Sequence, residues 1–270
     1  MEPLTAEDFQ SLQSYIQQHY GIDLHKKSQL ISSRLAVPIS QIGYTSFHDY
    51  VLDIISGRRP DLVNPMLARL TTNYTYFMRE EAHFQFLQST VLPWIEKQHR
   101  NDHCVNIWSA GCSSGEEPYN LSMYVMDYFQ AKGSWDTRIL ATDISTDMLQ
   151  RAVNPVYSAE NLNNLPAGWK SRYFTRRPDG LYTVAPRLRK NVLFRIFNLM
   201  DPIHFRKKFD LICCRNVMIY FNQSVKDALI QRFYGATVPG GYLFIGHSEG
   251  VNRNTCPYEY IKPAIYRKKV

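Results

Sequence analysis

The stretch Val105-Asn-Ile-Trp-Ser-Ala-Gly-Cys-Ser-Ser-Gly-Glu-Glu-Pro-Tyr119 restricts the fold more than any other part of the chain. Apolar Val105, Ile107 and Trp108 read as a buried strand, Gly111 and Gly115 as a loop, and Pro118 as a residue of a helix's first turn. Proline is tolerated there because the first N–H groups of a helix have no intrahelical partner. Strand, glycine-bearing loop and helix start together form the nucleotide-holding corner of a doubly wound α/β sheet. The loop reads G-x-x-x-G, not the dinucleotide fingerprint, and it places Glu116 and Glu117 where a pyrophosphate would sit. The positive end of a helix attracts anions, and two carboxylates there repel a diphosphate. A nucleoside with a cationic sulfur and no phosphate, such as S-adenosylmethionine, suits this corner better.

The pattern around that corner supports an α/β sheet. Strand candidates are Val105–Ser109, Arg138–Thr142, Val192–Phe197, Phe209–Cys213 and Tyr242–Gly246, with a terminal pair at Tyr258–Ile261 and Ala264–Arg267. Helices fill the gaps after Glu116, Ser145 and Ser224. This alternation predicts a mostly parallel sheet covered on both faces, closed by an antiparallel hairpin. The segment 154–191 breaks the rhythm. It is rich in Pro, Asn, Arg and Tyr and carries the turn signal Pro178-Asp-Gly180 before Leu-Tyr-Thr-Val184, which predicts a small antiparallel insertion.

The first seventy residues read as all-helical. Thr5 caps a helix with Phe9, Leu12 and Ile16 at helical spacing, and Gly21 ends it. A second segment holds Leu30, Ile31 and Leu35, and Pro38 is expected to stop it. A third starts near Thr45, carries Phe47, Tyr50, Val51, Ile54 and Ile55, and closes at Gly57. A fourth carries Leu62, Val63, Met66, Leu67 and Leu70. The expected organisation is a helical bundle over residues 1–72, a linker and helix over 73–102, and an α/β domain over 103–270 with an insertion at about 154–191.

Charge and cysteine usage exclude several classes. The five cysteines show no C-x-x-C spacing, and the eight histidines are scattered apart from the H-x-x-x-H spacing of His99 and His103; reduced thiols and no metal site are expected. The net charge of +7 points to an acidic partner surface without choosing among nucleic acid, anionic membrane and acidic protein. The acidic start, Met1 to Asp8, lacks the apolar core of a signal peptide, and no apolar run reaches the roughly 18 residues of a membrane span. A soluble cytoplasmic protein is expected.

The polar residues at strand ends are the candidates for chemistry. Asp143 ends the second strand, where a carboxylate accepts hydrogen bonds from ribose hydroxyls; the competing role is N-cap of the next helix. Asn198 and Leu199 follow the strand Val192–Phe197, in a position to grip and cover an adenine ring. Arg215, Asn216 and Tyr220 follow the apolar strand Phe209–Cys213, in the crevice where open α/β sheets bind ligands. Pro239-Gly-Gly241 reads as a turn into the next strand. The run Thr71-Thr-Asn-Tyr-Thr-Tyr-Phe-Met-Arg-Glu80 joins the two regions at the mouth of that crevice.

Together these segments resemble the chemotaxis receptor methyltransferase (CheR) family, which methylates glutamates on chemoreceptors. The matching stretches are Thr71–Glu80 with Phe84, Trp108–Tyr119, Thr142–Ile144, Tyr173-Phe174, Asn198-Leu199, Cys214–Phe221 and Gly246–Glu249, in family order over essentially the whole chain. The resemblance implies a Rossmann-like class I methyltransferase sheet with a helical front domain and an inserted antiparallel subdomain. It implies that S-adenosylmethionine, leaving as S-adenosylhomocysteine, is held by Asn73, Thr75, Arg79, Glu117, Asp143, Asn198, Leu199, Arg215 and Asn216. Between Glu116 and Glu117 as the contacting glutamate, Glu117 is favoured. Arg79 and Tyr220 match the positions that handle substrate at the methyl-transfer centre.

The implied partner is the acidic methylation helices of a chemoreceptor's cytoplasmic bundle, engaged by a monomer without nucleic acid or membrane insertion. Two departures from the family pattern stand out. Lys26, Lys27 and Arg34 remain of a basic row on the second helix, which Pro38 is expected to cut short. The turn Arg176–Gly180 is shorter than in members that bind a receptor's tethering peptide, so independence from a tether is expected. A glutamate nucleophile, with a pKa near 4.3, is already ionised at neutral pH and needs no general base. The expected roles are orientation of its carboxylate by Arg79 and a hydrogen bond from the Tyr220 hydroxyl. The alternatives are a methyltransferase of RNA or a small molecule, a non-catalytic adaptor that senses S-adenosylmethionine and, disfavoured by the glutamates, a nicotinamide dehydrogenase.

Overall fold

In the computed structural model, which describes residues 2–25 and 27–270, the chain opens with the α-helices α1 (Ala6–Tyr20), α2 (Ser28–Gln41), α3 (Phe47–Ile55) and α4 (Val63–Leu70). Thr5 caps α1 by accepting from the Asp8 N–H, and Gly21 ends it in the left-handed conformation (φ 70°). A side chain at Gly21 would collide with Met200, so the glycine also permits close approach of the bundle to the α/β part.

The bundle corrects two expectations. Pro38 lies inside α2 and does not stop it. Proline removes one intrahelical N–H, and near the end of a helix few such bonds remain to be lost. Ile31, Leu35 and Ile39 bury one stripe of α2 in the bundle, and that packing carries the helix past the proline. The second helix is therefore not cut short. Its Arg34 donates to the carbonyls of Arg69 and Leu70 at 3.0 and 3.2 Å, closing the C-terminal end of α4; Lys26 lies outside the described residues. The third helix is capped by Ser46, one residue later than expected, through the Asp49 N–H at 3.2 Å.

Helices α5 (Ala82–Phe86) and α6 (Leu92–Gln98) flank a π-helical turn, Leu87–Val91, and lead into the sheet. There β1 (Ile107–Ala110), α7 (Glu116–Phe129), β2 (Ile139–Asp143) and α8 (Thr146–Val153) follow in order. The insertion is real: β3 (Val156–Tyr157), α9 (Trp169–Tyr173), β4 (Phe174–Arg176), β5 (Tyr182–Val184) and α10 (Pro186–Arg189), with a separate antiparallel sheet in the order β3-β5-β4. The chain then returns through β6 (Val192–Ile196), β7 (Phe209–Cys214), α11 (Gln223–Ala236), β8 (Thr237–Ile245), β9 (Glu259–Lys262) and β10 (Ile265–Arg267).

The main sheet has the order β6-β2-β1-β7-β8-β10-β9. Pairs from β6 to β8 are parallel, and β10 is antiparallel to both neighbours. Pro239-Gly-Gly241 is not a turn before β8 but an irregularity within it, where the register with β7 shifts between Phe209 and Leu211. Strand order reverses between β1 and β7, and such a switch point opens a crevice at the strands' C-terminal ends.

Successive residues of the central strands feed opposite cores, as the two-residue strand period requires. Trp108, Ile212 and Cys214 join the core shared with α1–α4 and α11, whereas Ile107, Leu211 and Cys213 join the core under α5, α6 and α7. Trp108 is fully buried, and its indole N–H donates to the Thr142 hydroxyl at 2.9 Å. The helical front domain packs α4 against α8 and reaches the crevice with Tyr20 and Ile22. No helix among the described residues is long and apolar enough to cross a membrane.

Candidate functional site

The crevice is a cleft enclosing about 1020 Å³ counted out to its open mouth, at the upper end of the usual range for small-molecule sites. The strands present residues to it at or just past their C-terminal ends: Gly111 after β1, Asp143 ending β2, Asn198 and Leu199 after β6, Arg215 and Asn216 after β7. The segment 71–81, termed the strap, closes the front with Asn73, Thr75 and Arg79. All ten residues singled out from the sequence, Glu117 and Tyr220 included, line this one cleft. Glu116 does not line it.

The two glutamates at the start of α7 have separated roles. Glu116 is buried away from the cleft, bonded to the Ser114 hydroxyl at 2.7 Å, and burial pushes its carboxyl up to about 7 despite that bond. Glu117 points into the cleft, accepting from the Ser109 hydroxyl at 2.7 Å and from Arg215 at 2.9 Å. Burial raises its pKa, and the Arg215 charge opposes that rise.

Arg215 is the electrostatic centre of the site. Its side chain, 4% exposed, also contacts Glu80 Oε2 at 3.2 Å and donates to the Arg79 carbonyl. Burial pushes the Glu80 carboxyl up, but the nearby His83, the His247 N–H and Arg215 outweigh it and bring it down to about 2. A buried charge is tolerated only when paired in this way.

Asp143 is not the N-cap of α8; that role belongs to Ser145, whose hydroxyl accepts from the Met148 N–H at 3.3 Å. The Asp143 oxygens accept the N–H groups of Ser113 (2.8 Å) and Ser145 (2.9 Å), which fixes the carboxylate at the cleft wall. Each oxygen keeps a lone pair for a further donor.

The strap is pinned along its length. The Tyr220 hydroxyl accepts from the Thr72 N–H and donates to the Thr72 carbonyl, Ser113 donates to the Asn73 carbonyl at 2.9 Å, and buried Asn120 accepts the Met78 N–H at 2.8 Å. The Tyr220 hydroxyl, expected to donate to the substrate carboxylate, is bonded to Thr72 of the strap in this structure. The Arg79 guanidinium donates to the Tyr74 carbonyl at 2.9 Å.

Sequence reasoning missed two residues that shape the site. Glu249 accepts three backbone N–H groups, from Gly246 (2.5 Å), Asn216 (2.8 Å) and Ile219 (3.2 Å), and so holds the loop after β7 to the end of β8. Its presence in the stretch Gly246–Glu249 was the available signal. Glu80, near the end of the strap, orients Arg215. The helical domain also lines the cleft with Tyr20 and Ile22, and Asn198 donates to the His19 carbonyl at the end of α1 (2.8 Å). Nothing in the helical pattern of α1 marks that contact.

The donor set fits an amino-acid nucleoside. Glu117 and Arg215 offer opposite charges to an ammonium and a carboxylate, Asp143 offers acceptors for vicinal hydroxyls, and Asn216 Oδ1 is buried without a partner. Among the described residues no lysine lines the cleft, and the helix start facing it carries a carboxylate, which disfavours a diphosphate.

This fold and site define a nucleoside-dependent methyltransferase of the Rossmann-like class. Residues 73–266 match the CheR methyltransferase SAM-binding domain, and residues 7–71 match the CheR methyltransferase all-alpha domain. A chemotaxis protein methyltransferase of Borreliella burgdorferi is 37% identical over 270 residues, covering 98% of this chain and 95% of the relative. Chemotaxis protein methyltransferase 1 of Pseudomonas aeruginosa is 36% identical over 271 residues, covering 97% and 98%. Among solved structures, an N-methyltransferase of Bradyrhizobium japonicum in complex with S-adenosylhomocysteine is similar at a TM-score of 0.35 and 15% identity, over 62% of this chain and 60% of that one; the assignment does not rest on it. The chain belongs to the CheR methyltransferase family, and S-adenosylmethionine is its methyl donor.

Proposed function

We propose that this protein methylates glutamate side chains of chemoreceptors to methyl esters, tuning a chemotaxis-type signal. The observation that carries the reading is the chemistry of the cleft wall. Among the described residues no histidine or lysine lines it, and the lining thiol Cys112 is pushed up by burial. A site without a base suits a nucleophile that arrives ionised, and a glutamate carboxylate does so at neutral pH. The names of the relatives, chemotaxis protein methyltransferases, support a chemoreceptor as the bearer of that carboxylate.

S-Adenosylmethionine, when bound, supplies an activated methyl group. The chain's own residues bind and orient. Asp143 holds the ribose hydroxyls, Asn198 and Leu199 the adenine, and Glu117, Arg215 and Asn216 the amino-acid end. Asn73 and Thr75, on the strap, cover the donor and exclude water. Arg79, half-buried at the mouth, orients the incoming carboxylate. Tyr220 acts through the strap that it holds at Thr72. In-line positioning of the two reactants is the main source of rate.

A net charge of +7 favours docking on an acidic helical bundle. We place the enzyme in the cytoplasm as a monomer without nucleic acid, independent of a receptor tether, with its parts divided at 72/73 and 102/103. The test is to incubate the protein with methyl-labelled donor and receptor-bearing membranes. Label released from receptor by mild alkali as methanol supports an ester; alkali-stable label on nitrogen, or label on RNA, overturns the reading.

A further inference from the structure

Behind Arg215, outside the donor cleft, the neighbours Glu80 and His83 meet His247 from far along the chain. Glu80 lies near the end of the strap, His83 belongs to α5, and His247 comes just after β8. One ligand atom from each lies within 4.8 Å of the other two. His83 is 2% exposed, and neither of its ring nitrogens has a hydrogen-bond partner. Its Nδ1 lies 3.3 Å from Glu80 Oε2 without the alignment of a hydrogen bond. The ring stacks on Phe244 with centroids 5.1 Å apart and meets the His247 ring at the same distance. Among the described residues only Asn216 Oδ1 and Arg232 Nε are otherwise buried without a partner, so an imidazole with both nitrogens unpartnered is an anomaly. His247 is exposed, so the cluster is open to solvent on one side.

We propose that Glu80, His83 and His247 form a site for a divalent transition metal, Zn²⁺ above all, that opposes binding of the methyl donor. Two imidazoles and one carboxylate, with one position open to water, match the three-ligand sites that zinc occupies, whereas Mg²⁺ and Ca²⁺ prefer all-oxygen sets. The antagonism follows from a shared carboxylate. Glu80 Oε2 also accepts from Arg215 Nε and Nη2, at 3.3 and 3.2 Å, and Arg215 in turn holds Glu117 in the donor cleft. A metal that takes Glu80 releases one side of Arg215 and adds positive charge behind it, and the guanidinium shifts away from its place at the donor's amino-acid end. Coupling of this kind is reciprocal. The metal site stands without the donor reading; only the antagonism rests on it.

The test titrates ZnCl₂ into the full chain by calorimetry, first without and then with saturating S-adenosylhomocysteine. One equivalent of Zn²⁺ binds, and Co²⁺ in its place gives the strong visible absorption of a four-coordinate site. His247→Ala, an exposed change outside the donor cleft, weakens Zn²⁺ by about tenfold or more and leaves metal-free methyl transfer intact. S-Adenosylhomocysteine weakens Zn²⁺, and Zn²⁺ weakens S-adenosylhomocysteine, by the same factor of about five or more. Absence of Zn²⁺ binding, or binding that His247→Ala leaves unchanged, overturns the site. Independent binding of metal and nucleoside overturns the antagonism. Zn²⁺ binding in a protein that takes up no nucleoside supports the site and counts against the donor reading alone.

Discussion

The Tyr220 hydroxyl makes two hydrogen bonds to one residue, accepting from the Thr72 N–H at 2.9 Å and donating to the Thr72 carbonyl at 3.0 Å. Thr72 opens the strap, so this pair ties the loop after β7 to the segment that bears Asn73, Thr75 and Arg79. Tyr220→Phe removes both bonds while keeping the ring. Net hydrogen-bond values of about 0.5–1.5 kcal/mol each predict roughly a tenfold loss of donor affinity with little change in thermal stability. Calorimetry with S-adenosylhomocysteine checks this. A fall in kcat with unchanged nucleoside affinity would place the hydroxyl on the substrate instead.

Glu249 carries three N–H groups on one buried carboxylate, two of them from the loop that presents Asn216 and Tyr220. Asn216 holds a positive φ of 60°, a conformation that needs such support. Glu249→Ala orphans the three donors, and at about 1–3 kcal/mol for each group left buried and unpaired the loss is on the order of 3 kcal/mol or more. Urea unfolding measures it.

His99 makes two ion pairs, with fully buried Asp210 (2.8 Å) and with Asp102 (2.9 Å). The Asp210 hydrogen bond raises the imidazole pKa from 6.5 to about 9, against the opposing effect of burial. A raised histidine pKa stabilises the fold fully below pH 6.5, and that contribution is lost as pH rises through about 9. The shift corresponds to roughly 3 kcal/mol. His99→Gln is therefore expected to destabilise strongly at pH 6 and much less at pH 9.5, read as unfolding free energy against pH.

Glu116 behaves with the same sign for a different reason. Burial raises its carboxyl from 4.5 to about 7, so the folded state binds its proton more tightly than the unfolded chain. Its contribution is full below pH 4.5 and lost as pH rises through about 7. Glu116→Gln keeps the shape and removes the ionisation. It is expected to stabilise the protein at pH 8 by up to about 3 kcal/mol and to change little at pH 4. Equal effects at both values would show that the side chain is solvated in the folded state.

Legibility in the sequence tracked the range of the interactions. The corner Val105–Tyr119 was readable because strand, glycine loop and helix start are contiguous, and the strand-end residues Asp143, Asn198 and Arg215 were readable because a parallel sheet puts all such ends on one side. The Pro38 expectation failed because a local rule met a packed stripe, Ile31, Leu35 and Ile39, that outweighs one lost hydrogen bond. The contact of Tyr220 with Thr72 was not readable because the two are far apart in sequence. The cluster of Glu80 and His83 with His247 was invisible for the same reason, since only the fold brings the end of β8 to the adjacent pair.

The central claim is that the cleft at the switch point receives an amino-acid nucleoside and not a dinucleotide. Calorimetric titration of S-adenosylhomocysteine tests it most directly, with Asp143→Asn as the control for the ribose-holding carboxylate. The expected result is one equivalent bound by the native chain, about tenfold or more weaker binding by the variant, and no uptake of NADH. Tight NADH binding with no uptake of S-adenosylhomocysteine would contradict the account.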